Sequence, residues 1–355
     1  MLLKLIVTIK KAEMSDRTVK IWAVTEKGAH LGQRLCAALG GELCLPDKPW
    51  ASGFSSARTV PSLGEGIAAG FHGAGGHVFV MATGIVVRMI APLLKGKAQD
   101  PAVVVMDEAG RFAVSLVSGH IGGANRLAQE AAAAVGAVPV ITTATDTHGI
   151  ASVDGVVSER GLVVENPPAI KAVNMALLEK RKPLLWDPMG IYADMADLYV
   201  PAGERAEADV VVDCSSDPAK GGALVIRPRR VTVGVGCNRG TDVEEILEGV
   251  EKAFQAGGLS PLCLKAMASI DVKADEEGIL KAAERLGVSL SFYTKDQLSG
   301  TEGVVTPSAA ALKHVGTVSV CEAAAIQSAR MGSLVVPKVK GKNVTAALAM
   351  ASSTL

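Results

Sequence analysis

Short β-branched runs alternate with alanine-rich stretches of helical period along most of this chain, and that alternation constrains the fold more than any other feature. VKIWAVT (Val19–Thr25) reads as a strand, followed by a helix over Gly28–Leu39 and helical periodicity over Pro61–Gly73. HVFVMA (His77–Ala82) is a second strand, Ile85–Leu94 a helix, and AVVVM (Ala102–Met106) a third strand. DEAG (Asp107–Gly110) is a turn signal, after which RFAVSLV (Arg111–Val117) pairs back as a strand. The helix Ala124–Val135 and the strand Val138–Thr142 complete this part. A chain of this pattern builds an α/β/α layered domain around a largely parallel sheet.

The periodicity weakens after Thr147 and resumes at Val231. The 355 residues exceed one typical domain. The expected partition is a tail over residues 1–17, an N-terminal α/β domain over 18–147, a small middle α/β segment over 148–229 and a C-terminal α/β domain over 230–355. In the middle segment, Pro167-Pro168 opens a helix to about Lys180, since proline suits a first turn. Pro183–Trp186, Val210–Val212 and Ala223–Ile226 follow as short strands. The C-terminal domain is expected to carry a mixed sheet. Its strands are VTVGVG from Val231, Leu262–Ala268, Ser289–Tyr293, Ser333–Val339 and Val344–Ala349. Its helices are Thr241–Ala256, Asp275–Leu286, Ser308–His314 and Cys321–Arg330.

Composition removes several function classes. Thirty-six Lys and Arg balance thirty-six Asp and Glu, so no broad field calls for nucleic acid. Aromatic residues are 3%, too few for base-stacking platforms. The six cysteines form no CxxC pair, which leaves zinc and redox motifs unsupported and fits a reducing, cytoplasmic compartment. The apolar start MLLKLIV is short and broken by Lys4, so it reads as a tail or edge strand, with Met14 as an alternative start. No apolar run reaches the roughly 20 residues that span a bilayer.

The chemistry-bearing residues cluster at strand-to-helix turns. SGHIGGAN places His120 among Ser118, Gly119, Gly122, Gly123 and Asn125, where glycines admit a ligand close to backbone and a helix start favours an anion. An imidazole there can move protons near neutral pH, or merely cap the turn. In ATGIVVR, Thr83 and Gly84 end a strand and Arg88 lies one turn into the helix, placed for a carboxylate or for solvent. TTATD contributes Thr143 and Asp146. If the strands ending at Ala82, Val117 and Thr142 are parallel neighbours, these groups converge at one sheet edge, and Asp146 either orients His120 or caps a turn. GVGCNRGT is neither a Walker loop nor GxGxxG. There Gly236, Asn238 and Arg239 read as ligand-holding groups, and Cys237 as a nucleophile only if a base lies near. Lys265, within LKAMASIDVKADE, is a binding-loop cation or solvated surface, and Glu322 faces a helix start.

Taken together, ATGIVVR, VSGHIGGAN, TTATD, GVGCNRGT, LKAMASIDVKADE and VCEAAAI resemble the cobalt-precorrin-5A hydrolase family of anaerobic cobalamin biosynthesis, from about Val19 to the C-terminus. The third block alone is also similar to a smaller stand-alone cobalamin-pathway domain. The resemblance implies a three-part protein whose substrate is a cobalt-bearing tetrapyrrole with a δ-lactone. Water opens the lactone and acetaldehyde leaves. No cofactor belongs to the protein itself, because the cobalt arrives with the substrate. In that setting His120 is the expected general base, with Asp146 as its partner and the Gly122 and Gly123 N–H groups as oxyanion donors. Arg88, Arg239 and Lys265 are expected to hold substrate carboxylates. A non-catalytic corrinoid carrier, or a protein that channels intermediates through transient contacts with other pathway enzymes, is the rival reading.

Overall fold

The computed structural model describes residues 18–96, 99–120, 122–143, 152–307, 319–330 and 332–351. Its first sheet has seven strands: β1 (Val19–Ala23), β2 (Glu42–Pro46), β3 (Arg58–Val60), β4 (Gly76–Val80), β5 (Ala102–Met106), β6 (Phe112–Val117) and β7 (Val138–Val140), in the order β3-β2-β1-β4-β5-β6-β7. The first five positions in that order are mutually parallel. The helices are α1 (Glu26–Leu39), α2 (Leu63–Gly70), α3 (Thr83–Ile90) and α4 (Ala124–Val135). Leu31 and Leu35 of α1 and Leu127 and Ala128 of α4 pack on one face with Ile21, Val78 and Val104. Ile67 of α2 and Val86 and Ile90 of α3 cover the other face, against Trp22, Phe79 and Val103. That double cover explains why all five residues of β4 and of β5 are buried.

The four residues Asp107–Gly110 are too few for a crossover, so the chain turns straight back. The Asp107 Oδ1 accepts the N–H groups of Arg111 (2.7 Å) and Phe112 (2.8 Å) and fixes the turn. β6 therefore runs antiparallel to β5, and β7, reached through α4, runs parallel to β6. Two strands, β2 and the edge strand β3, were not expected from the sequence. ELCLP has only three buried apolar residues, Leu43, Cys44 and Leu45, between Glu42 and Pro46, and RTV has two exposed residues, so neither shows a long β-branched run.

Beyond α5 (Val153–Glu159) a five-stranded sheet follows. It contains β8 (Val163–Val164), β9 (Leu184–Trp186), β10 (Val200–Pro201), β11 (Val210–Val212) and β12 (Leu224–Arg227), in the order β10-β9-β11-β12-β8, with α6 (Ile170–Leu178) between β8 and β9. The third sheet is mixed and has the order β15-β14-β13-β17-β16. Its strands are β13 (Val231–Cys237), β14 (Leu264–Ile270), β15 (Ser289–Tyr293), β16 (Ser333–Lys340) and β17 (Val344–Met350). Its helices are α7 (Val243–Ala256), α8 (Glu277–Leu286), α9 (Lys295–Ser299) and α10 (Cys321–Ser328). The helix expected over 308–314 lies outside the described residues.

The fold is thus α/β throughout, with a largely parallel first sheet and mixed sheets elsewhere. Of the described residues, those up to Arg160 together with Leu177–Lys180 form one compact unit, and the remainder form a second. No described helix is long and apolar enough to cross a membrane.

Candidate functional site

In the first unit the strand reversal divides the expected site residues between opposite edges of one sheet. At the carboxyl ends of β1, β4 and β5, successive helices α1 and α3 leave on different faces, which opens a crevice at the switch point. A cavity of about 600 Å³ lies there, walled by Val24, Val80, Ile85, Val105, Phe112 and Val114, with Thr25, Thr83, Asp107 and Glu108 as its polar lining. Thr25 Oγ1 donates to Glu108 Oε1 at 2.8 Å. Thr83 and Gly84 open α3, whose N-cap Ala82 supplies no side-chain cap. The exposed Arg88 donates to Gly84 O of its own helix at 3.1 Å.

Ser118, Gly119, His120, Gly122, Gly123, Asn125 and Thr143 assemble at the other edge. β6 ends there beside the chain that enters β5, so a Cβ on Gly122 would lie 3.1 Å from Asp100 O and 2.3 Å from Ser118 Cβ. The expected convergence with Thr83 and Arg88 is therefore corrected: the hairpin at Asp107–Gly110 carries His120 to the edge where β4 and β5 begin. Ser118 adopts φ 61°, a left-handed conformation that costs a non-glycine residue energy, and its buried Oγ has no partner among the described residues. Asn125 is buried and ties the turn to β6 and to the segment that follows β7. Its Oδ1 accepts from Ser115 Oγ (2.7 Å), and its Nδ2 donates to Thr143 Oγ1 (3.0 Å).

A second correction concerns the oxyanion donors. Gly123, at φ 83°, is the N-cap of α4, and its N–H donates to His120 O at 2.9 Å. The next two N–H groups go to Ser118 O (3.0 Å) and Gly119 O (2.9 Å). The loop folds back on the helix start and uses these donors itself, so Gly123 has none to offer a ligand.

His120 has a partner that no motif announced. Its Nδ1 lies 3.1 Å from Ser152 Oγ, and Ser152 is the buried N-cap of α5, accepting the Gly155 N–H at 3.2 Å. A Cβ on Gly155 would stand 2.9 Å from Ser152 Oγ and 3.6 Å from His120 Nδ1, so the glycine leaves room for the ring. Asp146, the partner expected from the sequence, lies outside the described residues.

In the second unit, Gly236, Cys237, Asn238 and Arg239 end β13 and run into the turn before α7. Arg239 binds the Asp275 carboxylate and donates to Val272 O at 2.8 Å, so its guanidinium already has an acidic partner. Glu276, almost fully buried, accepts Gly240 N at 2.7 Å and Lys273 Nζ at 3.3 Å. Asn238 Nδ2 donates to Asn343 Oδ1 at 3.0 Å. Burial pushes the Cys237 thiol above its ordinary range, against the pull of Lys273, which argues against a resting thiolate nucleophile. Lys265 is the extra residue of a bulge at the start of β14, at the opposite end of that sheet from Cys237. Glu322 is fully buried in the first turn of α10. Its carboxylate accepts the N–H groups of Val305, Thr306 and Lys338 at 2.8–2.9 Å, which makes it a tie between segments.

Residues 65–146 match the family described as Cobalamin synthesis G N-terminal, and residues 231–349 match Cobalamin synthesis G C-terminus. The cobalt-precorrin-5A hydrolase of Priestia megaterium is 33% identical over 295 residues, 78% of each chain. That of Salmonella typhimurium is 31% identical over 360 residues, covering 95% of this chain and 99% of the relative. Among solved structures, CobE of the cobalamin (vitamin B12) biosynthetic pathway is 34% identical and covers 35% of this chain and 91% of its own, with a TM-score of 0.33. A cobalamin biosynthesis protein G homolog from Sulfolobus solfataricus is 21% identical and covers 94% of this chain and 97% of its own, with a TM-score of 0.37. With a curated relative above 30% identity spanning nearly its full length, the chain belongs to the cobalt-precorrin-5A hydrolase family.

Proposed function

We propose that this protein opens the δ-lactone of cobalt-precorrin-5A with water and releases acetaldehyde, giving cobalt-precorrin-5B, with the turn around His120 as its reaction centre. The observation that carries this reading is the imidazole itself. His120 is held at Nδ1 by Ser152 in a turn whose backbone is strained at Ser118, and strain of that kind persists where function requires it. Family membership supports the substrate. The cobalt is carried by that substrate.

In the reaction, the water oxygen bonds to the lactone carbonyl carbon and the carbonyl π pair moves to its oxygen. Collapse breaks the ring C–O bond, leaving a carboxylate and a hydroxyl, with one proton released to solvent. Loss of the hydroxyl proton then breaks the adjacent carbon–carbon bond. Acetaldehyde leaves, and the macrocycle takes the electron pair and a proton. Ser118, Gly119 and Gly122 would face the lactone, while Asn125 and Thr143 hold the turn that presents them.

The test is acetaldehyde release from the purified protein incubated anaerobically with the cobalt-bearing lactone. Release with a matching mass loss in the corrinoid is expected, and His120→Ala should cut turnover by at least a hundredfold. Tight binding without acetaldehyde would favour the carrier reading and remove the catalytic roles.

A further inference from the structure

We infer that the second unit carries a site for a polycarboxylate ligand, a flat macrocycle edged with acetate and propionate groups, held by Arg230, Lys265 and Arg330 at the end of the third sheet where β13 begins. The anion chemistry of this site is independent of the proposed function; the macrocyclic identity of its ligand rests on it. Arg230 is 9% exposed, yet among the described residues no hydrogen bond or ion pair reaches its side chain. Its backbone is fully engaged: the N–H donates to Pro228 O (3.0 Å) and Cys263 O (3.1 Å), and the carbonyl accepts the Ala351 N–H at 3.1 Å. An arginine is rarely buried unless paired, because its guanidinium gives up hydration that only an anion or other acceptors replace. A buried acid close by is already taken. Asp213, whose carbonyl accepts from Cys263 Sγ, binds Arg205 at 2.6 Å and Arg227 at 2.7 Å. The Arg230 guanidinium thus lacks a counterion. None of its nitrogens is among the sealed, unpaired atoms of the described residues, so a ligand can still reach them.

Strand register places two more cations beside it. Leu264, Val231, Met350 and Ser333 form a row across β14, β13, β17 and β16, three interstrand steps or about 14 Å. Arg230 precedes Val231 in that row, Lys265 follows Leu264, and Arg330 lies three residues before Ser333. A Cβ on Gly332 would stand 2.2 Å from Met350 O, and the Gly332 N–H donates to Ala329 O at 3.1 Å, so Gly332 is pressed onto that end of the sheet, close to Arg330. Lys265 and Arg330 are exposed, and neither has an acidic partner among the described residues. Arg239, at the opposite end of the same sheet, is by contrast bound to Asp275. Arg330 sits at φ 54°, where glycine is the default residue after a helix, so a guanidinium is kept there at a cost in backbone energy. Three unpaired cations in a chain of balanced charge make a local positive field. Their spread is too wide for one small anion and suits several carboxylates displayed on one rigid ligand.

The test is a fluorescence titration of the full chain with uroporphyrin, a tetrapyrrole whose edge carries acetate and propionate carboxylates. Saturable binding is expected. It should weaken at least tenfold in Arg230→Met and at least threefold in Lys265→Gln and in Arg330→Gly. Lys281→Gln, which removes an exposed lysine paired with Glu277, should stay within twofold of the parent. Glycine suits the left-handed φ of Arg330, and methionine keeps the apolar stem of Arg230, so both variants preserve the fold. Thermal unfolding separates a ligand-holding arginine from a structural one. Without ligand, Arg230→Met should melt at or above the parent temperature, because it removes a buried charge that has no partner. A lower melting temperature with undiminished uroporphyrin binding would make Arg230 structural and overturn its role. A parent that does not bind uroporphyrin, variants that bind it as the parent does, or an equal loss in Lys281→Gln overturns the site. Inorganic phosphate that binds as tightly as uroporphyrin overturns the polycarboxylate class. Failure of the proposed function has a different signature: no acetaldehyde from the parent and the cobalt-bearing lactone, with uroporphyrin binding and its loss in the variants unchanged.

Discussion

Lowering the pH should destabilise the first unit through His77 before most of its carboxylates are protonated. His77 is fully buried on β4, between Trp22 Nε1, which donates to its Nδ1 at 3.0 Å, and Phe71 O, which faces Nε2 at 3.0 Å. The Phe71, Trp22 and Phe79 rings stack around it. Burial brings its pKa from 6.5 down to about 4, assisted by Lys20 and His72 and opposed by the Phe71 carbonyl. A basic group with a depressed folded pKa binds its proton first in the unfolded chain. Stability is therefore complete above pH 6.5 and is lost as pH falls from 6.5 toward 4. Each pH unit inside that window removes about 1.2 kcal/mol, and the fall from pH 7.5 to 5 removes about 2 kcal/mol. The assay is urea unfolding followed by tryptophan fluorescence at several pH values, comparing the parent with His77→Gln. Glutamine can accept from Trp22 and donate to Phe71 O but does not titrate. The parent should lose about 2 kcal/mol more than the variant across that range. Parallel pH dependences in the two proteins would refute the reasoning, because they would mean that the ring is as easily protonated folded as unfolded.

Four further outcomes follow from the same packing and hydrogen bonding. Arg88→Ala should leave acetaldehyde turnover within twofold, since Arg88 is exposed at the edge opposite His120; a tenfold loss would show the two edges acting together. Asn125→Ala removes the bonds to Ser115 and Thr143 and should cost about 2–3 kcal/mol in chemical denaturation. Ser118→Gly relieves the left-handed backbone and should raise the stability of the first unit by about 0.5–1 kcal/mol in the same measurement. Burial pushes the Glu322 carboxyl up, but three backbone N–H groups and the Thr306 side chain outweigh it and hold its pKa below the usual value. Its contribution is therefore present above the ordinary glutamate range and lost as pH falls below it. Glu322→Gln should cost about 1.5–3 kcal/mol at pH 7 and less at pH 4, read by thermal unfolding at both values.

The central strands of the first and third sheets were legible because they are covered on both faces and read as nearly unbroken apolar runs. The pentapeptide AVVVM is β5 residue for residue. β3 escaped because two of its three residues are exposed at the sheet edge, and β2 because its buried run is only three residues long and contains no β-branched residue. The hairpin after β5 was legible as well, in DEAG. Its consequence is where sequence reasoning and structure part. A four-residue turn admits only an antiparallel return, so β6 has to deliver His120 to the edge where β5 begins, and the expectation of a single converging site was already inconsistent with the turn beside it.

What no local pattern could carry is the pairing of groups far apart in the chain. Arg239 looked like a hand for substrate carboxylates until Asp275, 36 residues on, took its guanidinium. Ser152 is 32 residues from His120 and reads on its own as an ordinary helix cap. Motif reading identifies a histidine as able to accept or donate a proton, but the choice between the two is made by whichever atom meets Nδ1. A carboxylate there would keep Nδ1 protonated, whereas a serine hydroxyl can meet Nδ1 as donor or as acceptor. The N-cap of α5 is thus one of the contacts that hold the His120 ring, and it lies where no motif around the histidine could announce it.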